Sequence, residues 1–234
     1  MIDKGSIYRA EEISRQFTAV SREELKAVRA HVPRCTSWHL LPEVSTSTIY
    51  FDTPDGNYAK QGLSIRVVDR LNVRDEFAAL ILKETVRDGR CHIHRKELGI
   101  RIPFSASHNQ VSEIRIDELL RNYLPATIHL KPDRLVAKAN CIQRRAKRLL
   151  QTKFEIAVNV SYDDAEWCDV RTNLKIGASY YVGAEVNLLC DREKDLKNIK
   201  LKCAGLALDD VAECIASRFP SLRELGPKYN HWIS

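Results

Sequence analysis

Residues 47–66 read STIYFDTPDGNYAKQGLSIR. Tyr50 and Phe51 are strand formers, and Thr53-Pro54-Asp55-Gly56 is built from residues that favour a turn. Gly62 is placed to be the left-handed stop of a one-turn helix over the preceding NYAKQ. The odd element is Arg66, set in the apolar strand LSIRVV. An arginine there either sits at a sheet edge or points into something anionic.

The chain around this stretch has 234 residues, with 44% hydrophobic and 29% charged side chains, which suits a folded protein with a sizeable core. No apolar run approaches the length needed to span a bilayer. The start, MIDKGSIYRAEE, lacks the apolar core of a signal peptide, so a cytoplasmic location without membrane partners is expected. The seven cysteines show no CxxC or Cys/His finger spacing, which points to reduced thiols. His92 and His94 alternate on one strand face and read as surface histidines rather than a metal pair. The net charge of +6 favours an acidic partner. No linker or repeat divides the chain, so one domain over residues 1–234 is expected.

Helices are expected at 21–32, where Ser21 and Glu24 form a capping-box pattern, at 107–124, and at 208–219, stopped by Pro220. Most of the rest alternates with period two. In 11–17, Ile13 and Phe17 oppose Glu12, Ser14 and Gln16. Lys83 lies late in the apolar strand 75–86, and 91–102 sets Ile93, Arg95 and Glu97 on one face. In 153–164, Phe154, Ile156, Val158 and Val160 oppose Glu155, Asn159, Ser161 and Asp163. In 180–189, Val186 and Leu188 oppose Glu185 and Asn187. A one-sided antiparallel sheet produces this pattern by exposing its polar face to water. A barrel whose polar faces turn inward, with helices over the apolar faces, produces it equally well.

The stretch 47–66 closely resembles a segment of the CYTH superfamily, the triphosphate tunnel proteins. There a strand ending in Tyr-Phe-Asp-Thr is followed by a short helix and then by a strand with an inward arginine. Later landmarks fall in the same order: LILKE, RKE, QRRAKR, YDD, AEVNLL and a C-terminal lysine in LRELGPKYN. The resemblance implies an α+β fold, an eight-stranded antiparallel β-tunnel with a polar, basic interior and flanking helices. It further implies a bound triphosphate with Mg²⁺ or Mn²⁺. By position, Arg66, Lys83, Arg95 and Lys228 match phosphate-binding cations, joined by Arg145 in preference to Arg144. A triphosphate carries roughly four negative charges and needs several fixed donors once enclosed. Arginine suits it because its planar fork binds phosphate oxygens in pairs.

The family's Glu-x-Glu-x-Lys signature on the first strand is here Glu12, Ser14 and Gln16, and its late Glu-x-Glu is Glu185-Val186-Asn187. Glu12 and Glu185 are the expected metal ligands and catalytic acids, with Asp163 as a third catalytic candidate and Glu155 as a further aid. Mg²⁺ and Mn²⁺ take hard oxygen ligands, commonly one or two carboxylates completed by water and substrate phosphate. The cations are mostly kept while the acids are thinned, which favours binding a polyanion over fast hydrolysis. Three readings follow from the resemblance. One is a metal-dependent phosphohydrolase acting on inorganic triphosphate or on a nucleoside, thiamine or RNA 5′-triphosphate. The second is a non-catalytic nucleotide or polyphosphate sensor, and the third, least favoured, is an ATP cyclase.

Overall fold

The alternating stretches form strands that close on themselves. The computed structural model describes residues 7–33, 35–71, 77–88, 92–103, 135–188 and 194–225. The strands are β1 (Ile7–Ala19), β2 (Ser37–Asp52), β3 (Leu63–Arg70), β4 (Phe77–Asp88), β5 (Ile93–Pro103), β6 (Val136–Gln151), β7 (Ala157–Cys168), β8 (Lys175–Leu188) and the short β9 (Arg223–Leu225). The helices among the described residues are α1 (Arg22–Ala30), α2 (Asn57–Lys60) and α3 (Lys194–Arg218).

The strand order is β5-β4-β3-β2-β6-β7-β8-β1, every pairing antiparallel. β1 then pairs back onto β5, from Ile7 opposite Ile100 to Ser14 opposite Ile93, which closes an eight-stranded barrel. β9 continues along the same edge of β1 at Gln16–Thr18, where β5 has ended. Closure decides between the two arrangements left open by the alternation. The polar faces turn inward, since Glu12, Ser14, Arg66, Lys83 and Glu185 line the interior while Ile13, Phe17, Val160 and Val182 pack outward under helices.

The outward apolar faces are covered by helices. Ile13, Phe17, Val158, Val160, Val182 and Val186 form one core with Leu25 and Val28 of α1 and with a stripe on α3. That stripe is Ala204, Ala207, Leu208, Val211, Ala212 and Ile215, the spacing of a single helix face. A second core lies over β2–β5, where Phe51, Ile65, Val67, Leu80, Leu98 and Ile100 pack with Tyr58 of α2.

The expected helix at 21–32 is α1, with the Ser21 hydroxyl accepting from the Glu24 N–H at 3.1 Å. The Glu24 carboxylate reaches back to the Val20 N–H at 2.7 Å, one residue beyond the usual capping-box target. Arg148 closes the other end by donating to the Arg29 and His31 carbonyls. The helix expected at 208–219 ends at Arg218 as Pro220 requires, but it begins at Lys194. Among its described side chains the buried face is the alanine-rich stripe from Ala204 onward, too small in volume to stand out in a hydrophobic pattern. The expected strand at 153–164 begins only at Ala157. Residues 152–156 form a turn in which the Thr152 N–H donates to the Ile156 carbonyl and Glu155 takes φ 58°. The helix expected at 107–124 lies outside the described residues.

Candidate functional site

The 47–66 block sets the position of β3. Asp52 is buried at the end of β2, and its carboxylate accepts from the backbone N–H groups of Thr53 (2.7 Å), Tyr58 (3.0 Å) and Ala59 (3.0 Å). The Thr53 hydroxyl accepts from the Asn57 N–H at 2.8 Å, so α2 is held at its start by two side chains. Gly62 ends the turn at φ 76°, and a Cβ there would sit 3.2 Å from the Thr85 Cβ. The chain then enters β3 with Arg66 opposite Tyr50 and Ser64 opposite Lys83.

Because side chains alternate, one face of each barrel strand points inward. A cavity of about 50 Å³ results, lined by Glu12, Ser14 and Gln16 of β1, Tyr50 of β2, Ser64 and Arg66 of β3, Lys83 and Thr85 of β4, Arg95 of β5, Arg145 of β6, Ser161 of β7 and Glu185 of β8. All eight barrel strands contribute.

Within it the cations are met by carboxylates. Lys83 Nζ lies 2.9 Å from Glu12 Oε2 and 2.6 Å from Glu97 Oε2. Arg95 Nη1 donates to Glu12 Oε1 at 3.1 Å. Arg145 makes a two-pronged pair with Asp163, at 2.7 and 2.9 Å, and Asp163 is fully buried. Lys147 reaches Glu185 at 3.3 Å. Two guanidinium nitrogens, Arg66 Nε and Arg95 Nη2, are buried without a hydrogen-bond partner among the described residues.

Burial would push the Glu12 carboxyl up, but Lys83 and Arg95 overcome it and lower its pKa to about 2. Burial likewise opposes ionisation of Glu97, and Lys83 and Arg66 hold it below the ordinary carboxylate range. Burial disfavours the Arg145 charge, yet the Asp163 carboxylate more than offsets it and holds the guanidinium firmly protonated. Arg66 follows the same logic, with Tyr50 and Glu97 offsetting its burial.

Arg66, Lys83, Arg95, Arg145, Glu12 and Glu185 therefore share one cavity. Arg144 is exposed on the opposite face of β6. Asp163 lies beneath Arg145 as its counter-ion. Glu155 is an exposed turn residue and does not join the cavity, because the strand starts after it. Lys228 lies outside the described residues. His94 meets Glu11 at 3.5 Å and His92 meets Asp209 at 2.9 Å, so the two histidines have separate acidic partners. Sequence reasoning passed over Glu97, Lys147 and Tyr8 as site residues. Each sits an even number of residues from a chosen one (Arg95, Arg145 and Glu12), and that parity was the available signal.

One end of the barrel is filled. Tyr50, Cys141, Trp167 and Tyr181 turn inward with Ala139 and Ala165 to form an apolar plug, with the Tyr50 and Trp167 ring centroids 5.7 Å apart. These residues belong to the strand ends β2 C-terminal, β6 N-terminal, β7 C-terminal and β8 N-terminal. β1 begins at the other end.

Of the lumen carboxylates, Glu12 and Glu185 line the cavity and are the candidates to hold a divalent ion. Glu12 pairs across the ladder with Asn187 and Glu185 with Ser14, so the two acids are diagonal neighbours on one face. No cluster of three His, Cys, Asp or Glu side chains suited to a metal occurs among the described residues. The set fits an ion shared with phosphate oxygens and does not fit an all-protein cage.

The sequence matches no protein-family model. No curated protein matches it either. Solved structures similar to the chain include a proposed adenylate cyclase of Bacillus halodurans, at 14% identity and TM-score 0.49, covering 97% of this chain and 99% of that one. A proposed adenylyl cyclase of Hippeastrum, described as having a dominant triphosphatase activity, is similar at 14% identity and TM-score 0.44, with 82% and 84% covered. An RNA triphosphatase of S. pombe is similar at 10% identity and TM-score 0.43, with 93% and 86% covered. These are likenesses; the closed barrel rests on the chain's own strand pairing. Fold and site together define a β-tunnel with a cation-rich lumen, plugged at one end. No helix among the described residues is long and apolar enough to cross a membrane.

Proposed function

We propose that the lumen binds a linear triphosphate and that the protein hydrolyses it with Mg²⁺ or Mn²⁺. The observation that carries this is the convergence of Arg66, Lys83, Arg95 and Arg145, from four different strands, on one cavity with unpartnered guanidinium donors. Four fixed cations suit a ligand of roughly four negative charges, and enclosure strengthens each pair relative to water. Lys83 and Arg95 already hold Glu12, so the ligand enters as they exchange Glu12 for phosphate oxygens.

Glu12 and Glu185 would hold the ion, whose chemistry is to neutralise phosphate charge and orient water. The chain's own contribution is positioning: Arg66, Lys83 and Arg95 fix the phosphates, and Asp163 fixes Arg145. Catalysis of phosphoryl transfer rests largely on such positioning and charge stabilisation. The substrate class includes inorganic triphosphate and nucleoside, thiamine or RNA 5′-triphosphates.

A second reading, a non-catalytic sensor, is favoured by one observation. Glu12 is already committed to two cations, leaving Glu185 as the less engaged acid. The test is to incubate the protein with tripolyphosphate, ATP and 5′-triphosphorylated RNA, each with Mg²⁺, Mn²⁺ or chelator. Metal-dependent phosphate release, lost in Glu185→Ala and Lys83→Ala, is the expected result. Binding that needs Lys83 but neither metal nor Glu185 would establish the sensor, and cyclic nucleotide with pyrophosphate would establish a cyclase.

A further inference from the structure

Tyr8 stands at the rim of the barrel opposite the plug, one residue into β1. Its parity with Glu12 turns it to the lumen side, and its register partner is Gly99 on β5. A Cβ on Gly99 would fall 1.9 Å from Tyr8 Cε1 and 2.1 Å from Cζ, so the ring lies directly on the glycine backbone. Only a residue without a side chain allows that approach. The hydroxyl donates to Glu97 Oε1 at 2.5 Å, and Glu97 in turn holds Lys83 at 2.6 Å. The ring is thus pinned at its edge and on one face, yet Tyr8 remains 45% exposed.

We infer that Tyr8 is a stacking platform for a planar ring carried beyond the phosphates. The ligand is then a triphosphate ester of the nucleoside class rather than inorganic triphosphate. This rests on the triphosphate reading of the lumen and adds the group at its mouth. The plug gives the ligand one polarity: phosphates enter first, and whatever they carry stays at the Tyr8 end. A ring fixed in advance on one face loses little freedom when a base stacks on the other, and base–aromatic stacking needs no particular base edge. Glu97 links the platform to the cage, since the carboxylate that orients Lys83 also orients the ring.

The probes are ATP, methyl triphosphate (an ester with a similar phosphate chain and no ring) and tripolyphosphate, measured by calorimetry in chelator. The wild-type protein should bind ATP about tenfold more tightly than methyl triphosphate. That ratio should fall toward one in Tyr8→Leu and be kept in Tyr8→Phe and Tyr8→Trp. Equal affinity for the two esters in the wild type overturns the platform without any variant, as does a ratio unchanged in Tyr8→Leu. Failure of the underlying reading looks different: no triphosphate, tripolyphosphate included, would bind the wild type, and both proposals would fall.

Discussion

Lys83 on β4 donates to Glu12 on β1 at 2.9 Å, over the top of the intervening strand β5. The pair crosses a single strand on the lumen side and sets a carboxylate among the lumen cations. Glu12 is therefore both a candidate metal ligand and a competitor for the cations.

Glu12→Gln separates those two roles. With chelator present, tripolyphosphate affinity should rise about tenfold, because Lys83 and Arg95 lose the anion that occupies them. Metal-stimulated phosphate release should fall at least about tenfold in the same variant. Calorimetry and a phosphate assay read the two effects. Weaker binding in chelator would mean that Glu12 orders the cations instead of blocking them.

Arg145 pairs with Asp163, the most deeply buried carboxylate of the lumen. Arg145→Met should destabilise the fold by about 3 kcal/mol, since it strips a fully buried carboxylate of its two-pronged partner. Arg145→Lys should recover only part, as an ammonium cannot match both oxygens. Urea denaturation gives both values. A loss below about 0.5 kcal/mol for Arg145→Met would show that Asp163 is held by other groups.

Acid should weaken the barrel in a defined window. The folded pKa of Glu12 is about 2 against an ordinary 4.5, and that of Glu97 is lowered as well. A depressed folded pKa gives stability that is fully present above the unfolded value and is lost as pH falls through the folded one. The urea midpoint should stay nearly level above about pH 5 and drop from about pH 4.5 toward 2. Glu12→Gln should show a shallower drop, and an unchanged slope would remove Glu12 as a cause.

The turn before β3 offers a test of the fold alone. Asp52→Ala leaves three backbone N–H groups without their shared acceptor and should cost about 2 kcal/mol. Gly62→Ala should cost about 1 kcal/mol or more, because φ is 76° and the new Cβ meets Thr85 at 3.2 Å. Thermal melting of each variant checks these. No loss from Asp52→Ala would mean that α2 is held by its packing instead.

Much of this molecule was legible along the chain. Alternation sorted the faces of β1, β7 and β8, because side-chain direction in a strand follows residue parity alone, whereas the preference for Arg145 over Arg144 came from the family resemblance. Thr53-Pro54-Asp55-Gly56 and Gly62 marked the turn and the short helix before β3 through local turn preference and a left-handed backbone, properties of neighbouring residues. The start of α3 and the late start of β7 were not legible, since small alanines and a five-residue turn leave little mark in a hydrophobic pattern.

What only the tertiary structure decided is whether the polar faces meet water or one another. The same alternation serves an open sheet and a tunnel; pairing of β1 with β5, Glu12 opposite Arg95, closes the ring. Shear then determines which inward residues come level, and no spacing in the sequence encodes it. Lys83 finds Glu12 and Glu97, Arg145 finds Asp163, and Tyr8 lies on Gly99 because strands distant in the chain are brought to one height around a shared lumen. Local geometry set the direction of each side chain, and closure chose its partners.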